Sequence, residues 1–220
     1  AVERVFIGMF TVRSSRVGIF AAHPEPPVLR TDSTTISTTF AKQNGDSMEY
    51  TIARTDGRPP LDGNWEDRVW QKAHVATLEC VRPESSDHHP RTAVRVLYNP
   101  THLFVLFKVL DQYVQSVHTE YMSPVCQDSC VEFFVQPKPD SGYFNFETNA
   151  GGTLLASYIE DARRTDDGFA RFTPLPREDG MRLNIHHSLP KTVKNTIRSP
   201  IAWMLQYELP LSLLETYAGP

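Results

Sequence analysis

The stretch VCQDSCVEFFVQPKPDSGYFNFETNAGG, residues Val125 to Gly152, decides the fold. Cys130–Gln136 is rich in β-branched and aromatic residues and reads as a strand. Pro137–Gly142 is a proline- and glycine-bearing turn, Tyr143–Thr148 a second strand, Asn149–Gly152 a tight turn and Thr153–Glu160 a third strand. Consecutive strands joined by short turns make an antiparallel meander. Side chains alternate across a strand, so Val131, Phe133 and Val135 share one face with Phe144, Phe146 and Thr148 of the partner. The opposite face carries Cys130, Glu132 and Phe134 beside Tyr143, Asn145 and Glu147. One face is apolar and predicts a core. The other is polar and predicts either a solvated sheet surface or a binding face.

The same pattern extends outward. Ala93–Tyr98 and Leu103–Val109 flank Asn99-Pro100-Thr101-His102 and predict a hairpin. Upstream, the strand-like EYTIAR (Glu49–Arg54) leads into the turn Asp56–Gly63 and a short helix that carries Trp65 and Trp70 into a core. Downstream, Asp161–Gly168 reads as a charged loop, Met181–His187 and Ile201–Leu209 as strands, and Pro210–Tyr217 as the start of a short helix. A succession of strands without long intervening helices predicts an all-β sandwich.

Composition narrows the function. The 220 residues carry 22 basic and 26 acidic side chains in no long block, which argues against a non-specific nucleic-acid surface. Apolar runs such as Leu103–Phe107 are too short to span a bilayer, so a soluble protein is expected. The segment 1–47 contains the Pro/Ser/Thr-rich run His23–Ser47 and reads as a disordered leader or linker, non-native upstream sequence if Met48 is the natural start. Residues 48–220 form the sandwich, and their end directly after the last helix suggests that terminal strands are missing.

Candidate chemistry is sparse. In an extended chain the Cα atoms of Cys126 and Cys130 lie roughly 13 Å apart, too far for a disulfide without a sharp turn. A zinc site needs about four ligands, and no second cysteine pair exists, with Cys80 standing alone. His186 and His187 alternate on a strand and point to opposite sides. No metal site is assigned, and calcium stays open without named ligands. Glu132 and Glu147 are the carboxylates that a glycosidase would use, if their strands pair in register. Arg95 between Val94 and Val96 is a candidate cationic partner for such a polar face.

These residues resemble the family 9 carbohydrate-binding modules. The resemblance covers roughly Glu49 to Tyr217 through Asp62, Gly63, Trp70 and Ala73, then AVRVLYNPTHLFVLFKVLD (Ala93–Asp111), DSCVEFFVQP (Asp128–Pro137) and YFNFETNAGG (Tyr143–Gly152). It implies an immunoglobulin-like antiparallel sandwich that binds carbohydrate without catalysis, in the service of carbohydrate breakdown. Glu132 matches the binding glutamate and Asn149 the binding asparagine of that family. Its first clamp tryptophan falls near Cys126, its binding arginine falls at Glu147 with the charge reversed, and its second clamp tryptophan falls beyond Pro220. Trp70 matches a core tryptophan.

The expected ligand-binding set is therefore Glu132, Asn149, Glu147, Arg95 and Tyr143, with Tyr121 a further stacking surface. No catalytic residue, nucleic-acid partner or membrane span is expected. Two alternatives stay open: a haem-binding electron-transfer sandwich, with Met122, Met181 and His186 as unassigned axial candidates, and a glycoside hydrolase using Glu132 and Glu147. The resemblance implies an extracellular or periplasmic setting, whereas a start at Met48 implies a cytoplasmic one.

Overall fold

The computed structural model describes residues 6–13, 29–32, 35–41, 47–78, 87–138, 141–166 and 168–219. The strands are β1 (Phe6–Arg13), β2 (Leu29–Asp32), β3 (Thr35–Ala41), β4 (Ser47–Arg54), β5 (Val75–Thr77), β6 (Arg91–Tyr98), β7 (His102–Asp111), β8 (Val114–Ser116), β9 (Cys130–Gln136), β10 (Tyr143–Asn149), β11 (Leu154–Thr165), β12 (Gly168–Pro174), β13 (Asn184–His187), β14 (Val193–Ile197) and β15 (Ile201–Pro210). Two helices, α1 (Arg177–Gly180) and α2 (Leu211–Ala218), complete the regular structure. Of the two main sheets the smaller runs β1-β9-β10-β11-β12 and the larger runs β13-β15-β7-β6-β4-β3-β2 with β5 on β6, while β14 and β8 pair as a separate two-stranded ribbon. Pairing is antiparallel except where β4 meets β6. The architecture is an all-β antiparallel sandwich.

The core lies between the two sheets. Val131, Phe133 and Val135 of β9 and Phe144 and Phe146 of β10 meet Val105, Phe107, Trp203, Leu205 and Tyr207 from the larger sheet. The Tyr207 hydroxyl donates to Thr148 Oγ1 at 2.7 Å and ties one sheet to the other. Full burial holds that hydroxyl well above the ordinary tyrosine pKa, so it stays protonated as a donor.

The unbroken apolar run of β7 has a local cause. Leu103, Val105, Phe107 and Val109 enter the main core, while Phe104 and Leu106 face the other way, into a second cluster with Trp65, Trp70, Ala73 and Leu97. A strand covered on both faces has no solvent side to make polar. The cover is the segment 55–74, in which Trp70 opens a 3-10 turn over Trp70–Lys72 and is wholly buried. The short helix expected to carry Trp65 and Trp70 is this turn.

The meander is as read, and the hairpin of β6 and β7 pairs Tyr98 with Leu103. Asn99 shapes its turn by accepting from Thr101 N and His102 N. Two expectations are corrected. The charged loop Asp161–Gly168 is strand: β11 continues to Thr165 and returns as β12. Charged and ring contacts hold this arm, with Arg163 paired to Asp161, Arg171 to Glu160, and the Arg164 guanidinium 3.8 Å from the Phe169 ring centroid. The strand expected from Met181 begins only at Asn184, because α1 and the turn after it occupy the residues before. Of the stretch 1–47 read as a leader, the backbones of β1, β2 and β3 lie along the sheets, and the remainder, apart from Ser47 in β4, is outside the described residues.

Candidate functional site

The outer face of the smaller sheet gathers the polar residues of the meander. Glu132 on β9 and Glu147 on β10 are direct cross-strand partners, and Asn145 stands opposite Phe134. Directly opposed Cβ atoms lie about 5 Å apart. Asn145 Nδ2 donates to Glu147 Oε1 at 2.7 Å, which fixes the amide's orientation. The Asn145 Oδ1 is then buried and has no hydrogen-bond partner among the described residues. Across β11, Ser157 is the neighbour of Asn145 and Leu155 that of Glu147.

This face is not solvated. Glu132 is 3% exposed, Glu147 and Asn145 4% each. Buried carboxylates are costly to desolvate, so a sheet face of this kind is an unusual use of sequence. At its half-buried end stand Phe134 and Tyr143, with ring centroids 6.1 Å apart and planes tilted by 53°. Burial raises the Tyr143 hydroxyl above the ordinary tyrosine pKa and Arg164 partly offsets this, so the group is a neutral donor at physiological pH. The arrangement sets an aromatic surface beside deep, mostly accepting polar atoms.

Tyr143, Glu132 and Glu147 are thus brought together, Asn149 follows two residues beyond Glu147 on the same strand face, opposite Cys130, and Arg95 is elsewhere. Asn149 is wholly buried at the end of β10. Its Nδ2 donates to His118 O and Asp128 Oδ2, each at 2.8 Å, and its Oδ1 accepts from Thr153 N at 2.9 Å. Asp128 also accepts from Val117 N and His118 N. Asn149 and Asp128 therefore staple the loop after β8 to the β10–β11 turn. Arg95 lies on the larger sheet, donating to Trp65 O at 2.7 Å and Gln71 Oε1 at 3.2 Å, with its guanidinium 4.4 Å from the Trp65 ring centroid. It clamps the segment that carries the tryptophans.

The remaining candidates scatter. His186 packs against Gly63 and His187 against Gly152, on opposite sides of β13 as adjacent strand residues must. Met122 Sδ accepts from Ala156 N, while Met181 is exposed beside a cleft at the β10–β11 turn. Cys126 and Cys130 are not joined to each other, and Cys80 lies outside the described residues. Among the described residues, no group of three or more His, Cys, Asp or Glu side chains is placed to hold a metal ion. None of their helices is long and apolar enough to cross a membrane.

Two features of consequence escaped sequence reasoning. Ser157 joins the polar face only through the β10–β11 register, and the cleft around Tyr121 is assembled from loops far apart in the chain. Alternation along β11 points to Ser157 once the register is known; no local pattern marks the cleft.

Fold and face together define a two-layer antiparallel sandwich whose smaller sheet carries a buried, acceptor-rich polar face with a half-buried aromatic edge. Residues 66–170 match the model of carbohydrate-binding family 9, in line with the resemblance read from the sequence. That segment contains β6 to β11 and each of Glu132, Tyr143, Asn145 and Glu147. The fold is shared with the crystal structure of a candidate carbohydrate-binding protein from Bacteroides uniformis, at 21% identity and a TM-score of 0.63, over 75% of this chain and 73% of that one. No curated protein matches the chain.

Proposed function

We propose that the protein is a non-catalytic carbohydrate-binding sandwich whose ligand is held by the outer face of the smaller sheet. The family match over residues 66–170, which contains Glu132, Tyr143, Asn145 and Glu147, carries the reading. The chemistry supports it. Sugar hydroxyls are donors as well as acceptors, and the carboxyl oxygens of Glu132 and Glu147 with Asn145 Oδ1 offer acceptors. Hydrogen bonds to charged acceptors contribute about 1.5–3 kcal/mol each, and shielding from water strengthens them further. Tyr143 and Phe134 offer the apolar surface on which a pyranose ring can lie. Binding of this kind serves carbohydrate breakdown by keeping a polymer near the enzymes that cut it.

The test is a glycan-array screen of the full chain beside Glu132→Ala, with circular dichroism to establish that both are folded. Glycan binding by the wild type that disappears in the folded variant supports the reading. A folded wild type that binds no glycan overturns it.

A further inference from the structure

At the β10–β11 turn a cleft of about 320 Å³ opens between four chain segments that the sugar face does not use. Its walls come from Thr119–Tyr121, from Gly152–Leu154, from α1 with the turn that follows it and Ile185 of β13, and from Lys191. The glycine pair of the tight turn makes this closeness possible. A Cβ on Gly151 would collide with the Lys191 backbone carbonyl, and one on Gly152, whose φ is +82°, would collide with the His187 ring. Gly180 does the same on the other wall, where a Cβ would strike the Tyr121 ring. Tyr121 is pinned by donating to Leu175 O at 2.8 Å, and the Arg177 guanidinium sits 5.3 Å from its ring centroid.

The lining is of two kinds. Leu154, Leu183, Ile185 and Met181 are apolar, and Met181 is 53% exposed. Arg177 and Lys191 are cations against the single carboxylate of Glu120. Thr153 also lines the cleft, and its Oγ1 is buried with no hydrogen-bond partner among the described residues. An unpartnered buried hydroxyl costs stability unless something completes it. The volume is at the small end of ligand sites and suits one or two small rings.

We infer that this cleft is a second binding site, for a single acidic sugar unit such as a uronate. The sugar carboxylate pairs with Arg177, whose planar fork matches a carboxylate, and Lys191 adds charge. A ring hydroxyl completes Thr153, and the apolar face of the pyranose rests on Met181 and Leu183. Nothing in this assignment needs the Glu132 face.

The test is calorimetric titration of the full chain with glucuronate and galacturonate, each beside the neutral glucose or galactose, and with acetate as a carboxylate-only control. Uronate binding is expected to exceed that of the neutral sugar and of acetate by at least about tenfold, roughly 1.4 kcal/mol, and to weaken with added salt. Arg177→Gln is expected to remove that preference. Thr153→Val is expected to be no less stable than the wild type and yet to bind more weakly, a split that a merely structural threonine would not give. Glu132→Ala, which tests the sugar face, is expected to keep uronate binding. Equal binding of uronate and neutral sugar, no uronate binding by the folded wild type, or loss of uronate binding in Glu132→Ala would each overturn the assignment.

Discussion

Glu132 and Glu147 stand directly opposite each other on neighbouring strands, both almost wholly buried, with Asn145 donating to Glu147. Like charges in that relation destabilise a sheet by about 0.2–1 kcal/mol. Glu147→Gln keeps the shape and still offers Asn145 an acceptor, while removing one charge. Its expected outcome is a melting temperature raised by about 1–3 °C, together with weaker glycan binding. Scanning calorimetry and titration on the same variant check both signs. A drop in melting temperature would mean that the pair is a stability element.

Tyr143 stands at the half-buried edge of the same face, beside Phe134. If a sugar ring rests there, ring area matters more than the hydroxyl. Tyr143→Ala is expected to weaken glycan affinity about tenfold, whereas Tyr143→Phe stays within about threefold of wild type, differences of roughly 1.4 and 0.6 kcal/mol. The hydroxyl pKa is raised, so the neutral form persists through neutral pH and affinity should not fall between pH 6 and 9 on account of this residue. Equal affinities of wild type and Tyr143→Ala would remove Tyr143 from the site.

The legibility of this chain follows from how plainly side-chain character is patterned along each strand. β9 and β10 place apolar side chains at every second position, Val131, Phe133 and Val135 with Phe144 and Phe146, and β7 is a solid apolar run, so these strands were readable to within a residue or two. β12 was not, because most of its residues are exposed and its hairpin is held by charge pairs and an arginine–ring contact. The polar face was legible as a face but not as a buried one, since alternation says which residues share a side and nothing about what covers it. Arg95 was misplaced relative to Glu132, and the loop contacts of Asn149 went unread, for a related reason. Both are hydrogen-bonding residues in strands, and only the three-dimensional partners, Trp65 for one and Asp128 for the other, reveal that they staple loops.

Asn149 joins two loops through its carboxamide. Asn149→Ala leaves His118 O and Thr153 N unpaired by it in a buried place, an expected loss of roughly 2–4 kcal/mol. Asn149→Asp is expected to cost at least as much, because a second carboxylate then faces Asp128. Urea denaturation measures both. Stability within about 0.5 kcal/mol of wild type in either variant would remove Asn149 from this structural role and return it to the ligand set.

Arg95 gives the complementary prediction. Its guanidinium bonds the Trp65 carbonyl and covers the Trp65 ring on the larger sheet. Arg95→Lys cannot reproduce the fork, and a loss of about 1–2 kcal/mol is expected. Glycan affinity, measured well below the melting temperature, should be unchanged. A variant of normal stability with lost affinity would place the ligand on the other sheet.

Tyr50 links the fold to alkaline pH. Its hydroxyl donates to His74 O at 2.6 Å and accepts from Val96 N at 3.0 Å, and burial pushes its pKa up to about 12 from the usual 10. The native state therefore holds this proton more tightly than the unfolded chain. The corresponding stability, on the order of 2–3 kcal/mol, is fully present below pH 10 and lost as the pH rises toward 12. Tyr50→Phe is expected to be less stable at neutral pH, because His74 O and Val96 N lose their partner, but to show a flatter decline between pH 10 and 12. Denaturation curves collected across that interval test it. Parallel declines in both proteins would assign the alkaline transition to other buried tyrosines, of which Tyr207 is the most deeply enclosed.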